Sequence, residues 1–553
     1  MGKRFPVRLS GALMILLAAV FISSPFAGFG LTVEELDQKV KDREILFYRE
    51  FFNQILYEPF ASLLRFDRIR DRIFSGKHEA LDVNPFDEVP DSAFFTNRHA
   101  KNRFSISDLK QGPDRGEGPN PQGPWQVLKG KTAGVSAGFL IKDSKGDRYL
   151  LKFDPKDNPE MATSAEVISH KFFHSFGYNV AEYYLIYFNP DILKPDPKAT
   201  YYNEDGFKKP LTEEALQELL DRVPKFKGGV VRASASKILE DAKGYMDFDG
   251  RRESDPDDFI PHEDRRSMRA LRIFGSWLNH YDIREGNTLD IIEVEDGKPF
   301  LKHYLIDFGS TLGSAASHPK VPAAGHEHIV DWFEVGKTAP TLKVVEKPWE
   351  KRWDEFNRQI TYPELGYFDN FHFEPEDWKT QLPYEVFNRI TRSDAFWAAK
   401  ILMSYSDEDI RAIVETARYS DPQNASLLSE ILITRRDLIG RYWFSRVTPL
   451  DQIRLFQLDG GQYEIRFADL MVQHGFAQAD GVQYRYRIGD THQEFSGNRF
   501  SFNVNSGETD RVVIRVQAKY DANGAWSEPP LEIRLAKSAE DASLRVAQID
   551  HGV

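Results

Sequence analysis

Between Trp277 and Gly313 the chain reads WLNHYDIREGNTLDIIEVEDGKPFLKHYLIDFGSTLG, and this stretch constrains the fold more than any other. Helical spacing in DRRSMRALRIFGSWLNHY runs directly into it. TLDIIEV and PFLKHYLI then alternate like the strands of a hairpin around the turn Glu295-Asp296-Gly297-Lys298. A hairpin of this kind brings its two ends together. Asp282 and Asn287 stand before it, and Asp307, the first residue of Asp307-Phe308-Gly309, stands after it. The first carboxylate is fit to orient or deprotonate a hydroxyl. The amide and the second carboxylate are fit to hold a divalent cation. Whatever surrounds this stretch must complete such a site.

The chain upstream supplies candidates. WQVLKG, FLIKD and RYLLKFDP read as three strands, with GKTAGVSAG between the first two and the turn Ser144-Lys145-Gly146-Asp147 between the last two. Lys152 lies in the third strand among Leu and Phe, where a buried ammonium requires an acid partner. It is either that or an edge lysine facing solvent. Glu166, on the helix PEMATSAEVISHKFFHSFG that Gly177 would cap, is the favoured partner. Glu160 is the rival acid, though a place in the first turn, near the helix dipole, accounts for it. Gly134 and Gly138 could let backbone N–H groups approach phosphates, or simply form a hairpin turn.

The chain of 553 residues divides around this core. Residues 1–30 carry a basic start and an uncharged apolar run, an export signal that is either cleaved or retained as a signal-anchor. Residues 31–124 comprise a helical segment opened by a Thr32/Glu35 capping box, then a Pro- and Gly-rich wrapping segment or linker. Residues 125–190 hold the strands and helix above. Residues 191–262, with the helix LTEEALQELLDRV and a β-ribbon KGGVVRASASKIL, read as an insertion, and 263–445 as a mainly helical unit. From 446 to 540 short alternating strands suit an immunoglobulin- or fibronectin type III-like sandwich uninterrupted by helix, and 541–553 are a tail. The fold class is thus α+β, bilobal, with a C-terminal all-β unit.

Composition removes several function classes. A net charge of −13 leaves no basic excess for general nucleic-acid binding. The absence of cysteine excludes disulfides, thiolate metal sites and a cysteine nucleophile. His318, His326 and His328 fit no zinc spacing and read as solvated loop histidines. The aromatic cluster of residues 332–373 reads as core packing rather than a sugar platform.

Taken in order, Lys152, Glu166, Asp282, Asn287 and Asp307 resemble the protein-kinase superfamily. The likeness is to its atypical branches: the persistence-toxin, spore-coat, secretory-pathway and phosphoinositide kinases. WLNHYDIREGN is similar to their catalytic loop, and VISHKFFHSFGYNVAEYYLI to their helix with strands four and five. The resemblance spans residues 125–190 and 263–445. It implies a bilobal fold and Mg²⁺ (or Mn²⁺) with ATP. Lys152, Gly134 and Gly138 would lie at the nucleotide, Lys152 paired with Glu166. Asp282 would be catalytic, and Asn287 and Asp307 would be metal ligands. Tyr281 stands where the family has arginine, and no APE motif follows Asp307-Phe308-Gly309, so control by activation-loop phosphorylation is not implied. The expected function is an exported, atypical kinase-like phosphotransferase acting on a protein, glycan or lipid. The alternatives are a pseudokinase scaffold at the cell surface and a transferase of another group on the same frame.

Overall fold

The structure is a computed structural model that describes residues 31–59, 78–131, 138–203, 207–332, 334, 336, 362–504, 511–538 and 543–552. The expected export signal at 1–30, the end of the N-terminal helical segment, Gly134, and Trp349, Trp353 and Phe356 of the aromatic cluster lie outside the described residues. Helix α1 (Val33–Lys39) opens with the expected capping box: Glu35 N donates to Thr32 Oγ1, and Thr32 N donates to the Glu35 carboxylate. Helix α2 (Phe47–Phe52) continues as a π turn over Asn53–Tyr57. The segment after residue 77 is irregular apart from α3 (Ile106–Gln111).

The next elements are β1 (Trp125–Lys131), β2 (Gly138–Lys142), β3 (Arg148–Phe153), α4 (Met161–Phe176), β4 (Asn179–Val180) and β5 (Tyr183–Phe188). After them come β6 (Leu193–Tyr202), β7 (Lys208–Pro210), α5 (Glu213–Leu220) and β8 (Val231–Lys237). Seven strands form one sheet in the order β5-β8-β3-β2-β1-β6-β7. Residues 191–262, expected as an insertion, therefore supply three of its strands. In place of a separate β-ribbon, β8 pairs antiparallel with both β3 and β5. Its residues Val231 to Ala235 are all buried, and small residues such as Ala233, Ser234 and Ala235 let both faces be covered. A strand covered on both faces does not alternate, so its pattern showed β structure but not its central place in this sheet.

Alternation does work in β3, where Tyr149, Leu151 and Phe153 are buried. They share an apolar cluster with Phe139, Ile141 and Leu216, Leu219 and Leu220 of α5. Lys152 consequently projects from the opposite face. Helix α4 is buried along its whole length except His174. Its Ile168, Phe172, Phe173 and Phe176 belong to a second, larger cluster.

That larger cluster is built from α6 (Arg266–Arg269), α7 (Leu271–Leu278), α8 (Glu385–Asn388), α9 (Arg392–Met403), α10 (Asp407–Glu415) and α11 (Pro422–Phe444). The hairpin expected from the sequence is present as β9 (Thr288–Glu295) and β10 (Lys298–Leu305), with Glu295 opposite Lys298. Asp296 and Gly297 both have positive φ, 50° and 75°, as a tight two-residue hairpin turn demands. β4 adds to β10 in parallel, tying the end of α4 to this hairpin.

The C-terminal unit contains β11 (Leu450–Gln457), β12 (Gln462–Asp469), α12 (Leu470–Gln473), β13 (Gln483–Ile488), β14 (Thr491–Phe495), β15 (Arg499–Asn503), β16 (Arg511–Lys519), β17 (Leu531–Lys537) and β18 (Leu544–Asp550). They make two antiparallel sheets, β11-β12-β15 and β14-β13-β16-β17-β18, whose inward side chains form one apolar cluster. Two sequence expectations are corrected here. The short helix α12 interrupts the strands, because Asp469 caps it by accepting from Met471 N and Val472 N. The expected tail at 541–553 carries β18, which pairs with β17. Among the described residues no helix is long and apolar enough to cross a membrane.

Candidate active site

Three distant segments converge on Lys152. Its Nζ lies 2.5 Å from Glu166 Oε1 on α4 and 2.8 Å from Asp307 Oδ1 after β10. Lys152 is therefore not an edge lysine. Burial pulls its pKa down, but Asp307 and Glu166 outweigh burial and raise it above the ordinary lysine range. The second oxygen of Glu166 accepts from Phe308 N at 3.1 Å, so one carboxylate ties β3 to the backbone after Asp307. Gly309 packs against the other oxygen: a Cβ there would stand 2.9 Å from Glu166 Oε1, which pairs with Lys152. Asp307 itself takes φ 61°, a left-handed conformation unusual for a residue with a side chain. Its backbone N–H donates to Tyr183 Oη at 3.0 Å.

Glu160 plays a different part from the one its place in the helix suggested. It is the N-cap of α4, with φ 67°. It is buried, accepts from Ser420 N and pairs with Arg232 at 3.3 Å. The rival acid is thus occupied by the contact between sheet and helices.

The second half of the site is the loop between α7 and β9. Asn279 ends α7 in a left-handed conformation, with φ 48°. Asn287 donates through Nδ2 to Asp282 O at 2.8 Å and to Asp282 Oδ2 at 3.1 Å. With its amide nitrogen so engaged, Asn287 has Oδ1 as the atom that could serve as a ligand. Ile306 N donates to Asn287 O at 3.0 Å, which fixes this residue beside the approach to Asp307. Burial pushes the Asp282 carboxyl up to about 6; Arg284 opposes this, and the nearby Asp307 carboxylate adds to it. Gly138 opens β2 directly opposite Lys152 in the register.

Phe308 is fully buried between Phe173 of α4, at 5.2 Å between ring centroids, and His280, at 5.8 Å. Burial lowers His280 to about 3, so its imidazole is neutral. Tyr281 Oη donates to Glu327 O, and the Tyr281 carbonyl accepts from Gln381 N. It anchors the loop to the segment after Gly313. His328, expected to be solvated, is half-buried and its ring bonds Thr380 O at 2.7 Å. Of the aromatic cluster, Phe368 and Phe373 are in the core, whereas Trp332 and Phe371 are exposed.

Sequence reasoning missed three participants. Glu50 of α2 is buried, and its carboxylate accepts from Arg284 Nη1 at 2.7 Å, from Gly286 N at 3.1 Å and from Tyr384 Oη. Arg284 in turn donates from Nε to Asp282 Oδ1 at 3.1 Å. Lys320 is buried with its ammonium on the carbonyls of Asn279, Ser310 (3.1 Å) and Leu312 (3.0 Å), joining the loop to the backbone after Asp307. The one signal for Lys320 was a lone lysine between two prolines in a segment otherwise poor in charge.

Chemically, the arrangement offers a fixed ammonium, an oxygen pair from Asn287 and Asp307 suited to a hard cation, and a carboxylate beside them. Among the described residues no group of three or more His, Asp or Glu is placed to hold a metal by itself. A cation here would need ligands from its substrate, as Mg²⁺ bound with phosphates has.

Comparison with protein-family models finds no match, and comparison with curated proteins finds none. Comparison with solved structures returns the Helicobacter pylori proinflammatory kinase CtkA, at 13% identity over 59% of this chain and 95% of that one, TM-score 0.30. It also returns the golgi casein kinase, at 10% identity over 76% and 92%, TM-score 0.31. The golgi casein kinase with Mn/ADP bound matches at 10% identity over 70% and 93%, TM-score 0.24.

Proposed function

We propose that the chain is an atypical kinase-like phosphotransferase that uses ATP with Mg²⁺ or Mn²⁺. The observation that carries this reading is the Lys152 ammonium held between Glu166 and Asp307, with Asp282 and Asn287 joined on the facing loop. Phosphoryl transfer asks a protein mainly for charge and position. Lys152, locked in its rotamer by two carboxylates, is placed to hold phosphate oxygens. Asn287 Oδ1 and the Asp307 carboxylate are the residues that would hold the metal, which supplies charge neutralisation when bound. Asp282, partly desolvated and steered by Arg284 and Asn287, orients the acceptor hydroxyl and takes its proton.

The finer parts of the proposal rest on sequence. The N-terminal apolar run supports export to the periplasm, surface or exterior, with a membrane tether if it is retained. The C-terminal pair of sheets with one core supports an immunoglobulin- or fibronectin type III-like module. Calorimetric titration with ATP tests the reading. Mg²⁺-dependent binding should be lost in Asp307→Ala, and unchanged affinity in that variant would sink the assignment.

A further inference from the structure

The outer face of the five-stranded sheet in the C-terminal unit carries a band of positive charge. Along β16, Val512, Ile514, Val516 and Ala518 are buried, so Arg511, Arg515 and Lys519 stand on the other side. Arg515 lies opposite Arg487 of β13, and Arg485 shares that side of β13, opposite Gln517. Arg534 of β17 flanks β16 opposite Val513. These six cations share the face of β13, β16 and β17 with one acid, Glu532. Glu532 pairs with Arg515 at 2.9 Å and with Arg534 at 2.7 Å. The side chains of Arg487 and Arg511 have no hydrogen-bond, ion-pair or ring partner among the described residues. Further acids stand at the margins: Glu494 opposite Arg485, Asp550 opposite Glu532, and Glu528, which accepts from Gln517 at 2.7 Å.

Like charges directly opposite each other destabilise a sheet. Arg487 and Arg515 are such a pair, in a chain whose net charge is −13. Acids are plentiful in the chain but are not placed across from these arginines, so folding does not account for the band. Its shape narrows the partner. At strand geometry, Arg511 to Lys519 spans about 27 Å, and the three strands together span about 10 Å. A bilayer rewards exposed apolar side chains, and Val513, 37% exposed, is the one large example on this face among the described residues. Single-stranded nucleic acid needs open aromatic platforms. Trp526 is already covered, with Arg485 and Lys519 at 4.5 and 5.0 Å from its ring centroid. A protein partner anchors aromatic or apolar residues in pockets, which a flat row of arginines lacks. A linear chain bearing carboxylate or sulfate groups at intervals needs neither, and guanidinium grips such groups bidentately.

We propose that this face of the C-terminal unit binds an acidic polysaccharide, laid along β16 between Arg487 and Arg534. The proposal does not rest on the kinase-like reading of the other site.

Calorimetric titration of the full chain tests it with oligogalacturonate, dextran sulfate, neutral dextran, short duplex DNA and phosphatidylglycerol vesicles. One or both acidic polysaccharides should bind and weaken as salt rises, and neutral dextran should not bind. Oligogalacturonate alone assigns a carboxylate chain, and dextran sulfate alone a sulfated one. Arg487→Gln with Arg511→Gln should weaken that binding at least tenfold. The same variant should melt no lower than wild type, because the two side chains hold no partner and Arg487 faces Arg515. The other sheet supplies a control, since Arg454, Arg466 and Arg499 lie opposite one another on its outer face. Arg454→Gln with Arg499→Gln removes as much charge there and should leave affinity within twofold. Absence of binding by either acidic polysaccharide, equal binding of neutral dextran, equal loss in the two variants, or a melt of the first well below wild type overturns the proposal. Tighter binding of DNA or of the vesicles, lost in the first variant, overturns the polysaccharide as partner.

Discussion

On the proposed function, Asp282 and Glu50 separate chemistry from support at the scale of single residues. Asp282→Asn would keep the bond to Asn287 possible but remove the proposed base. ATP affinity should stay within about threefold while transfer falls about 10²–10⁴-fold in a single-turnover assay. Glu50→Ala should act on folding as well: deleting one partner of a buried ion pair costs about 3–5 kcal/mol, measurable by urea denaturation. Lys152 was legible because a lysine breaks the pattern of an apolar strand, and Asp282, Asn287 and Asp307 because they flank a hairpin that brings its ends together. Glu50 was not. A glutamate on a helix rich in charge looks like part of a solvated face, and only the fold reveals that Arg284, Gly286 and Tyr384 surround it.

Helix α4 is the element on which the site turns, because it faces the sheet with Glu166 and the helical core with Phe172, Phe173 and Phe176. Its end is specified by Gly177, at φ 136°, where a Cβ would come within 2.4 Å of Phe95. Gly177→Ala is thus expected to destabilise the protein by more than about 1 kcal/mol in urea denaturation. Element type was readable wherever one face is apolar, as in β3, α4 and the β9–β10 hairpin. For β8, buried on both faces, the β type was read but not its place in the main sheet, and type failed for β18, where the pairing partner rather than the sequence pattern makes the strand.

The C-terminal unit is not an appendage to the rest of the molecule. His551 Nδ1 contacts Asp87 Oδ2 at 2.7 Å, and Asp87 Oδ1 pairs with Arg266 of α6 at 2.7 Å. Burial opposes ionisation of Asp87, but Arg266 and His551 prevail and hold the carboxyl well below the usual range. A depressed carboxyl stabilises the fold above its unfolded value near pH 4 and loses that contribution as pH falls further. Thermal melts of Asp87→Asn should therefore lie below wild type at pH 7 and converge with it in strong acid. Ending the chain at residue 538 should lower the main calorimetric transition rather than delete a separate one. Two independent transitions in the full chain would contradict this.

Time gives the Glu50–Arg284 pair a further meaning. Its partners are 234 residues apart, so at about 5–20 residues per second the ribosome delivers Arg284 roughly 10–50 s after Glu50. Over that interval α2 exists without the loop that buries its carboxylate. The loop that carries Asp282 is then completed by a segment made well before it, so its folding must bridge a delay as well as a distance.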